Sequence, residues 1–412
     1  MEIIHQRCAG LDISKKDTKV CVRVAGAGRR KTTETVTTWG SMTNQILALR
    51  EQLIDQQVTC VVMEATGSYW KPFYYLLEDL PGVEVMLVNA HDAKNLPGRK
   101  TDVSDATWLA QLAAHGLLRA SFVPPEPVRH LRDLTRTRTA ITRERSREVQ
   151  RLEKLLEDAG IKLSSVATDI MGVSGRAMLQ ELIEGQRDPI MLADLAKRRL
   201  RNKTPELVEA LTGRFVEHHA FLARMHLNLI DQHSAAIAEL TERIEVMIEP
   251  FRGFHQLICS IPGISTLVAD VITAETGADM SRFPTAGHLA SWAGTCPGHH
   301  ESAGRVKSTK TRPGNRYLKG ALGTAAMAAA RSKNTYLGAR YRRLSTRTGK
   351  AKAIVAIEHT MLIVIWNMAQ TGALYDDLGA DYYTRLRPDR TKKRAIGQLE
   401  AMGYTVTLDR AG

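Results

Sequence analysis

The order of elements in the first third of this 412-residue chain restricts its fold more than any other feature. Cys8–Ile13 (CAGLDI) and Thr18–Val24 (TKVCVRV) are β-rich runs separated by Ser14-Lys15-Lys16-Asp17, a spacing that predicts a hairpin. Thr33–Thr38 supplies a third strand. Met42–Leu53 then reads as a helix, Val58–Met63 as a largely apolar strand, Trp70–Leu77 as a helix and Val83–Val88 as a further strand. Gly98 to Leu112 (GRKTDVSDATWLAQL) follows as an amphipathic helix start. Thr101 or Asp102 is its expected N-cap, and Ala106, Leu109, Leu112 and Ala113 are its apolar stripe.

Three meandering strands followed by β-α-β-α units predict an α/β, RNase H-like domain over residues 1–124 rather than a doubly wound sheet. No G-x-G-x-x-G follows the first strand, which argues against a dinucleotide site. Four acids fall at telling places in that order. Asp12 is embedded in the first strand, Glu64 ends the apolar strand VVME, and Asp102 and Asp105 sit three residues apart at the last helix. Positions i and i+3 share a helix face, so both of these carboxylates can point at one spot. The plainer reading has Asp102 capping the helix and Asp105 favouring its positive end. A carboxylate within a buried strand is costly unless paired or bound to metal. Four acids gathered at one sheet end would suit hard divalent cations such as Mg²⁺ and two-metal phosphoryl transfer.

Charge points to the partner. The net charge of +13 and pI near 9.6 call for an anion, with nucleic acid first and an acidic membrane surface second. No signal-like segment opens the chain, and the longest apolar run, 353–369, is interrupted by Glu358 and His359, so no membrane span is expected. Cys8, Cys21, Cys60, Cys259 and Cys296 are scattered without a C-x-x-C pair and read as thiols in a reducing compartment. Together these features predict a soluble, cytoplasmic, nucleic-acid-facing protein.

Residues 125–253 read as a helical coiled-coil region. Val128 to Asp158 predicts one long helix with Leu131, Leu134, Ile141, Leu152 and Leu155 near a/d positions, interrupted by Arg138 and Arg145. Its other faces carry Arg129, Arg132, Arg136, Arg143, Arg147, Arg151 and Lys154, either a solvated face or a nucleic-acid-contacting arm. Phe215 to Met247 predicts a second long helix, which can pair with the first in one chain or across subunits. His226 and His233 read as seam or surface histidines.

Residues 254–372 form a mainly α C-terminal domain, followed by a tail over 373–412. The Pro-Gly centre of Leu257 to Val268 resembles a helix-hairpin-helix turn that could hold a phosphate on backbone N–H groups, or is a simple turn between helices. His299 to Gly304 reads as a loop, leading into a helix over Asn315–Ser332. From Ser302 through Ile357 there is no aspartate or glutamate, while lysines and arginines recur. An unbroken cationic run of that length requires a polyanion. Arg305, Lys307, Lys310, Arg312, Arg316, Lys319, Arg340, Arg342, Arg343 and Arg347 are the expected nucleic-acid contacts. Ser302, between small residues in that field, is either a turn hydroxyl or a nucleophile aimed at phosphorus. Ser291, Ser308 and Thr309 are weaker candidates.

Two sets of motifs carry a family resemblance. Gly10-Leu11-Asp12-Ile13-Ser14-Lys15, Met63-Glu64-Ala65-Thr66-Gly67 and Lys100-Thr101-Asp102-Val103-Ser104-Asp105-Ala106 resemble the DEDD, RuvC-like domain of the IS-one-ten (IS110) group of bacterial insertion-sequence transposases. Ile261-Pro262-Gly263-Ile264, Phe283, Ala293-Gly294, Pro297, Glu301-Ser302-Ala303-Gly304, Gly314-Asn315 and Leu318 resemble its second signature domain. The resemblance implies that Asp12, Glu64, Asp102 and Asp105 bind Mg²⁺ and that Ser302 is the catalytic serine. It further implies donor and target DNA, a structured bridge RNA that guides recombination, and a homo-oligomer of dimers assembling into a tetramer. Rival readings are a junction-resolving nuclease that activates water with the acids alone, and a non-catalytic architectural binder.

Overall fold

The computed structural model describes residues 2–26, 31–89, 104–298 and 300–408, which divide into two compact units at Pro124/Pro125. In the first unit, β1 (Arg7–Ile13), β2 (Asp17–Val24) and β3 (Thr33–Gly40) form the antiparallel meander. After α1 (Thr43–Asp55) comes β4 (Cys60–Glu64), parallel to β1. After α2 (Trp70–Leu77) comes β5 (Glu84–Val88), parallel to β4. The sheet order is β3-β2-β1-β4-β5, with β1 and β4 at its centre. Side-chain alternation assigns the two faces. Leu11, Ile13, Val61 and Met63 pack against Ile46, Leu49 and Leu53 of α1 and Phe73 and Leu77 of α2. Cys8, Cys60, Val62 and Val88 face Leu109, Ala113 and Ala114 of α3 (Asp105–Ala114).

The start of α3 corrects one expectation. Ser104 is the N-cap, extended at φ −62° and ψ 151°, and its side chain accepts a hydrogen bond from Thr107 N. The helix therefore begins at Asp105, one residue past the best local capping hydroxyl, rather than at Thr101 or Asp102. Asp102 and Thr101 lie outside the described residues.

In the second unit, α4 (Glu126–Asp158) packs antiparallel on α9 (Glu217–Met247). The pairing is intrachain: Arg145 Nε donates to Ser234 Oγ at 2.8 Å, and His226 Nδ1 lies 2.9 Å from Glu148 Oε2. Between them, α5 (Leu163–Val166), α6 (Val173–Glu184), α7 (Pro189–Ala193) and α8 (Thr204–Leu211) close a satellite core around Met178, Leu182, Leu192 and Leu207.

The remaining helices are α10 (Arg252–Cys259), α11 (Thr266–Thr276), α12 (Ala286–Trp292), α13 (Arg316–Arg331), α14 (Tyr336–Thr348) and α15 (Lys350–Thr371), with α16 (Tyr382–Leu386) and α17 (Pro388–Ala401) in the tail. Helix α15 is long and apolar enough to cross a membrane, yet Ile357, Met361, Leu362 and Ile365 are fully buried in this unit's main core, against Leu318 and Leu322 of α13. The Pro262-Gly263 turn has a packing role. Gly263 sits at φ +96°, and a Cβ there would lie 2.4 Å from Ala325 O of α13. Ser265 Oγ caps α11 by accepting from Val268 N.

Candidate active site

In the first unit, strand register gathers the acids. Leu11 pairs with Met63, so the next residues on these parallel neighbours, Asp12 and Glu64, lie side by side at the carboxyl ends of β1 and β4. Because Leu11 and Met63 face α1 and α2, alternation turns Asp12 and Glu64 to the α3 face. Helix α3 crosses that face over Gly10, where a Cβ would fall 2.2 Å from Ala106 O and 2.5 Å from Ala110 N. Only glycine permits this approach, and it brings Asp105, the residue before Ala106, to the same end of the sheet. Asp12 and Glu64 are half-buried, and Thr66 Oγ1 donates to Glu64 Oε1 at 3.0 Å. The set is all oxygen, which fits a hard divalent cation.

Among the described residues, the donors drawn within 4.8 Å of one another are others: His5, Cys60 and Glu84, near the amino end of β4. Burial pushes the Cys60 thiol up to about 12, so that trio has only two ready ligands.

In the second unit, Ser302 occupies a β-hairpin rather than the expected open loop. Strands β6 (His300–Ser302) and β7 (Arg305–Ser308) pair with Ser302 opposite Arg305. The two linking residues, Ala303 (φ +51°) and Gly304 (φ +73°), are both left-handed, as a two-residue I′ turn requires. Ser302 is exposed at this tip, as are Arg305, Lys307, Lys310 and Arg312.

The arm bearing the hairpin leaves the core through a narrow neck. A Cβ on Gly294 would lie 2.8 Å from Arg312 O, and one on Gly314 would lie 2.4 Å from Ala293 O. Lys319 ties both sides of the neck, donating to Gly294 O at 3.0 Å and Thr311 Oγ1 at 3.1 Å. Below it, Asn315 caps α13, accepting from Tyr317 N and Leu318 N. Its Nδ2 donates to Glu275 Oε2 at 2.6 Å.

Glu275 is fully buried and is the hub of the region. Arg136 donates to both its oxygens at 2.7 and 2.8 Å, and Arg132 Nε lies 3.6 Å away. Burial drives the Arg132 guanidinium down to about 10 despite Glu275, whereas hydrogen bonding to Glu275 raises Arg136. One helical turn away, Asp270 joins Arg138 and His255, each at 2.9 Å.

These contacts revise several expectations. Arg132 and Arg136 face inward as partners of buried Glu275, so that part of α4 is neither a solvated face nor a nucleic-acid arm, while Arg138, expected in the seam, pairs with buried Asp270. Lys319 braces the neck, and Arg340 donates to Tyr336 OH at 3.3 Å and Tyr383 OH at 3.1 Å. Arg316 lies over the Tyr317 ring, and Arg342, Arg343 and Arg347 remain exposed. The roles of Glu275 and Asn315 were missed. The signal for Glu275 was its place, with Asp270, among the apolar residues Leu267, Val268, Ala269, Val271, Ile272 and Ala274 of α11.

Helix α15 braces the arm as well. His359 Nδ1 lies 3.4 Å from Thr295 Oγ1 and 3.9 Å from Cys296 Sγ, and burial lowers its pKa. Its neighbour Glu358 is 5% exposed, and burial pushes its carboxyl up to about 7.

Both halves match known transposase sequences. Residues 9–161 match a DEDD-type IS110 profile described as a transposase, and residues 255–342 match the transposase IS116/IS110/IS902 family. An uncharacterized 42 kDa protein of insertion element IS900 from Mycobacterium paratuberculosis is 29% identical over 67% of this chain and 73% of its own length. An uncharacterized 43.6 kDa protein of insertion element IS110 from Streptomyces coelicolor is 30% identical over 34% of this chain and 36% of its own. The family match over residues 9–161 contains the candidate acids, and the one over 255–342 contains Ser302.

Proposed function

This chain belongs to the IS110 family of insertion-sequence transposases, and from that premise we propose that it is an RNA-guided DNA recombinase acting through a phosphoserine intermediate. The observation that carries the reading is Ser302 held out on a hairpin tip where an acid-free, cationic stretch begins, while the second candidate centre is wholly acidic.

Ser302 Oγ attacks a DNA phosphodiester, forming a P–O bond to serine as the bond to the departing sugar oxygen breaks. The serine proton ends on that sugar hydroxyl. Rejoining reverses the step: a hydroxyl of the incoming strand attacks the phosphoserine, and its proton returns to Oγ. Arg305, which pairs with Ser302 in the hairpin, and nearby Lys307 lower the cost of charge developing on the phosphoryl oxygens. Asp12, Glu64, Asp102 and Asp105 are the proposed ligands of Mg²⁺ in an RNase H-like, RuvC-like sheet. When bound, the ion supplies charge neutralisation at the reacting phosphate. Target and donor choice is assigned to base pairing with a structured bridge RNA, leaving the protein to grip backbone and shape. Residues 125–253 are the proposed helical region of a homo-oligomer, dimers forming a tetramer in the bacterial cytoplasm.

A denaturing gel of stalled reactions tests the chemistry. Wild-type protein should form a covalent protein–DNA adduct that Ser302→Ala abolishes. DNA cutting at normal rates with no adduct would instead mean water is the nucleophile.

A further inference from the structure

We propose that the groove between α14 and the C-terminal tail is a phosphate-backbone site for a nucleic-acid strand, with the tail as one wall. This deepens the recombinase reading and rests on it. Helix α14 contributes Arg342, Arg343 and Thr346, and the tail contributes Tyr383, Thr384, Arg387 and Arg394. Together they line a cavity of about 520 Å³ that holds four guanidinium groups and, among the described residues, no carboxylate. Like charges gathered in a concave surface repel one another and focus positive potential, a combination that an anion relieves. Guanidinium groups bind phosphate through paired N–H donors, which suits a phosphodiester over a diffuse acidic surface.

The groove is built, not a chance meeting of mobile side chains. Asp377 Oδ1 accepts from Tyr336 N and from Gly379 N, both at 2.8 Å, fastening the tail to the start of α14. Tyr383 stacks on Tyr336 with centroids 5.9 Å apart, Tyr382 meets Tyr336 edge-on at 5.0 Å, and Arg340 binds both the Tyr336 and Tyr383 hydroxyls. Arg343 lies 4.3 Å over the Tyr383 ring, and Arg342 donates to Ser332 O and Lys333 O at 3.0 and 2.9 Å. Two of the four guanidiniums are thus held in place before any ligand arrives, which cuts the ordering cost of binding. The α14 wall also belongs to the run free of acids from Ser302 to Ile357.

The test is salt-dependent binding of the full chain to three probes: a DNA duplex, a DNA single strand and an RNA hairpin. Each lost phosphate contact flattens the plot of log affinity against log salt by about 0.9 for duplex and about 0.7 for single strands. The double variant Arg387→Gln/Arg394→Gln should therefore flatten it by roughly 1.4–1.8 on the probe that occupies the groove, with an unchanged melting temperature. The probe affected assigns the strand to DNA or to RNA. Tyr383→Ala, which removes no charge but unfastens the wall, should weaken binding of that same probe. The pair Arg387→Lys/Arg394→Lys should keep the slope while losing affinity, since the charge remains and the paired donors do not. Unchanged slopes for the glutamine pair on all three probes, with wild type binding normally, would overturn the groove and leave the recombinase reading standing. No salt-dependent binding by wild type to any probe would overturn both.

Discussion

The two candidate centres are built by opposite means. In the first unit the backbone does the placing: strand alternation and the parallel register of β1 and β4 position Asp12 and Glu64, and Gly10 lets α3 deliver Asp105. Ser302, in contrast, sits on a small exposed hairpin whose position depends on partners distant in sequence. Glu275, Asn315, Arg136 and Lys319 hold the neck through buried ion pairs and side-chain bonds. Acids that must crowd against their own repulsion are fixed by the backbone of a sheet. Ser302 is carried on an arm whose root is tied down by buried partners. Damage should therefore propagate differently in the two units.

The largest effect falls at the tip. Ser302→Ala should lower strand exchange by roughly 10³-fold or more while leaving the melting curve unchanged, because the side chain is exposed. Strand-exchange rates and calorimetry on the same preparation check both halves of that statement. Next comes the root. Glu275→Ala leaves two arginines facing an uncompensated buried site, with an expected cost of about 3–5 kcal/mol. It should lower only the transition of the second unit, and a melt in which both units shift together would break the contrast. In the first unit, Gly10→Ala forces Ala106 and Ala110 of α3 away from β1, at about 1–3 kcal/mol. Since α3 carries Asp105, activity should fall further than stability alone accounts for.

The smallest effect is pH-dependent. Burial raises the Glu358 carboxyl from an ordinary 4.5 to about 7, and its Oε2 has no hydrogen-bond partner among the described residues. Because folding then favours the protonated form, this residue destabilises the folded state increasingly as pH climbs from 4.5 through 7. Below 4.5 both states are protonated and the penalty vanishes. Glu358→Gln should stabilise the second unit at pH 8 by on the order of 1–2 kcal/mol, and at pH 4 by nothing. Denaturant midpoints at the two pH values decide it.

Much of the first unit was legible because its signals are local. Apolar alternation marks Arg7–Ile13 and Asp17–Val24, and a short apolar run ending in Glu64 marks the central parallel strand. The true cap, Ser104, competes in the sequence with an equally good capping residue, Asp102, and a weaker one, Thr101, just upstream. The second unit hid its logic in long-range pairs. Nothing near Arg136 announces that it meets Glu275, which lies 139 residues away, so the α4 arginines look like a solvated stripe. The hairpin was concealed because Ala303 takes a left-handed conformation that alanine seldom adopts. The tail's docking rests on Tyr336, Tyr382 and Tyr383, whose contact no periodicity reveals.

The claim that both centres serve one reaction is tested most directly by locating the covalent DNA adduct by mass spectrometry in an Asp12→Asn/Glu64→Gln chain. The Ser302 arm of that variant is untouched, so loss of the Ser302-linked nucleotide, present in wild type, is the expected result. A Ser302 adduct forming at the wild-type rate without the acids would contradict it.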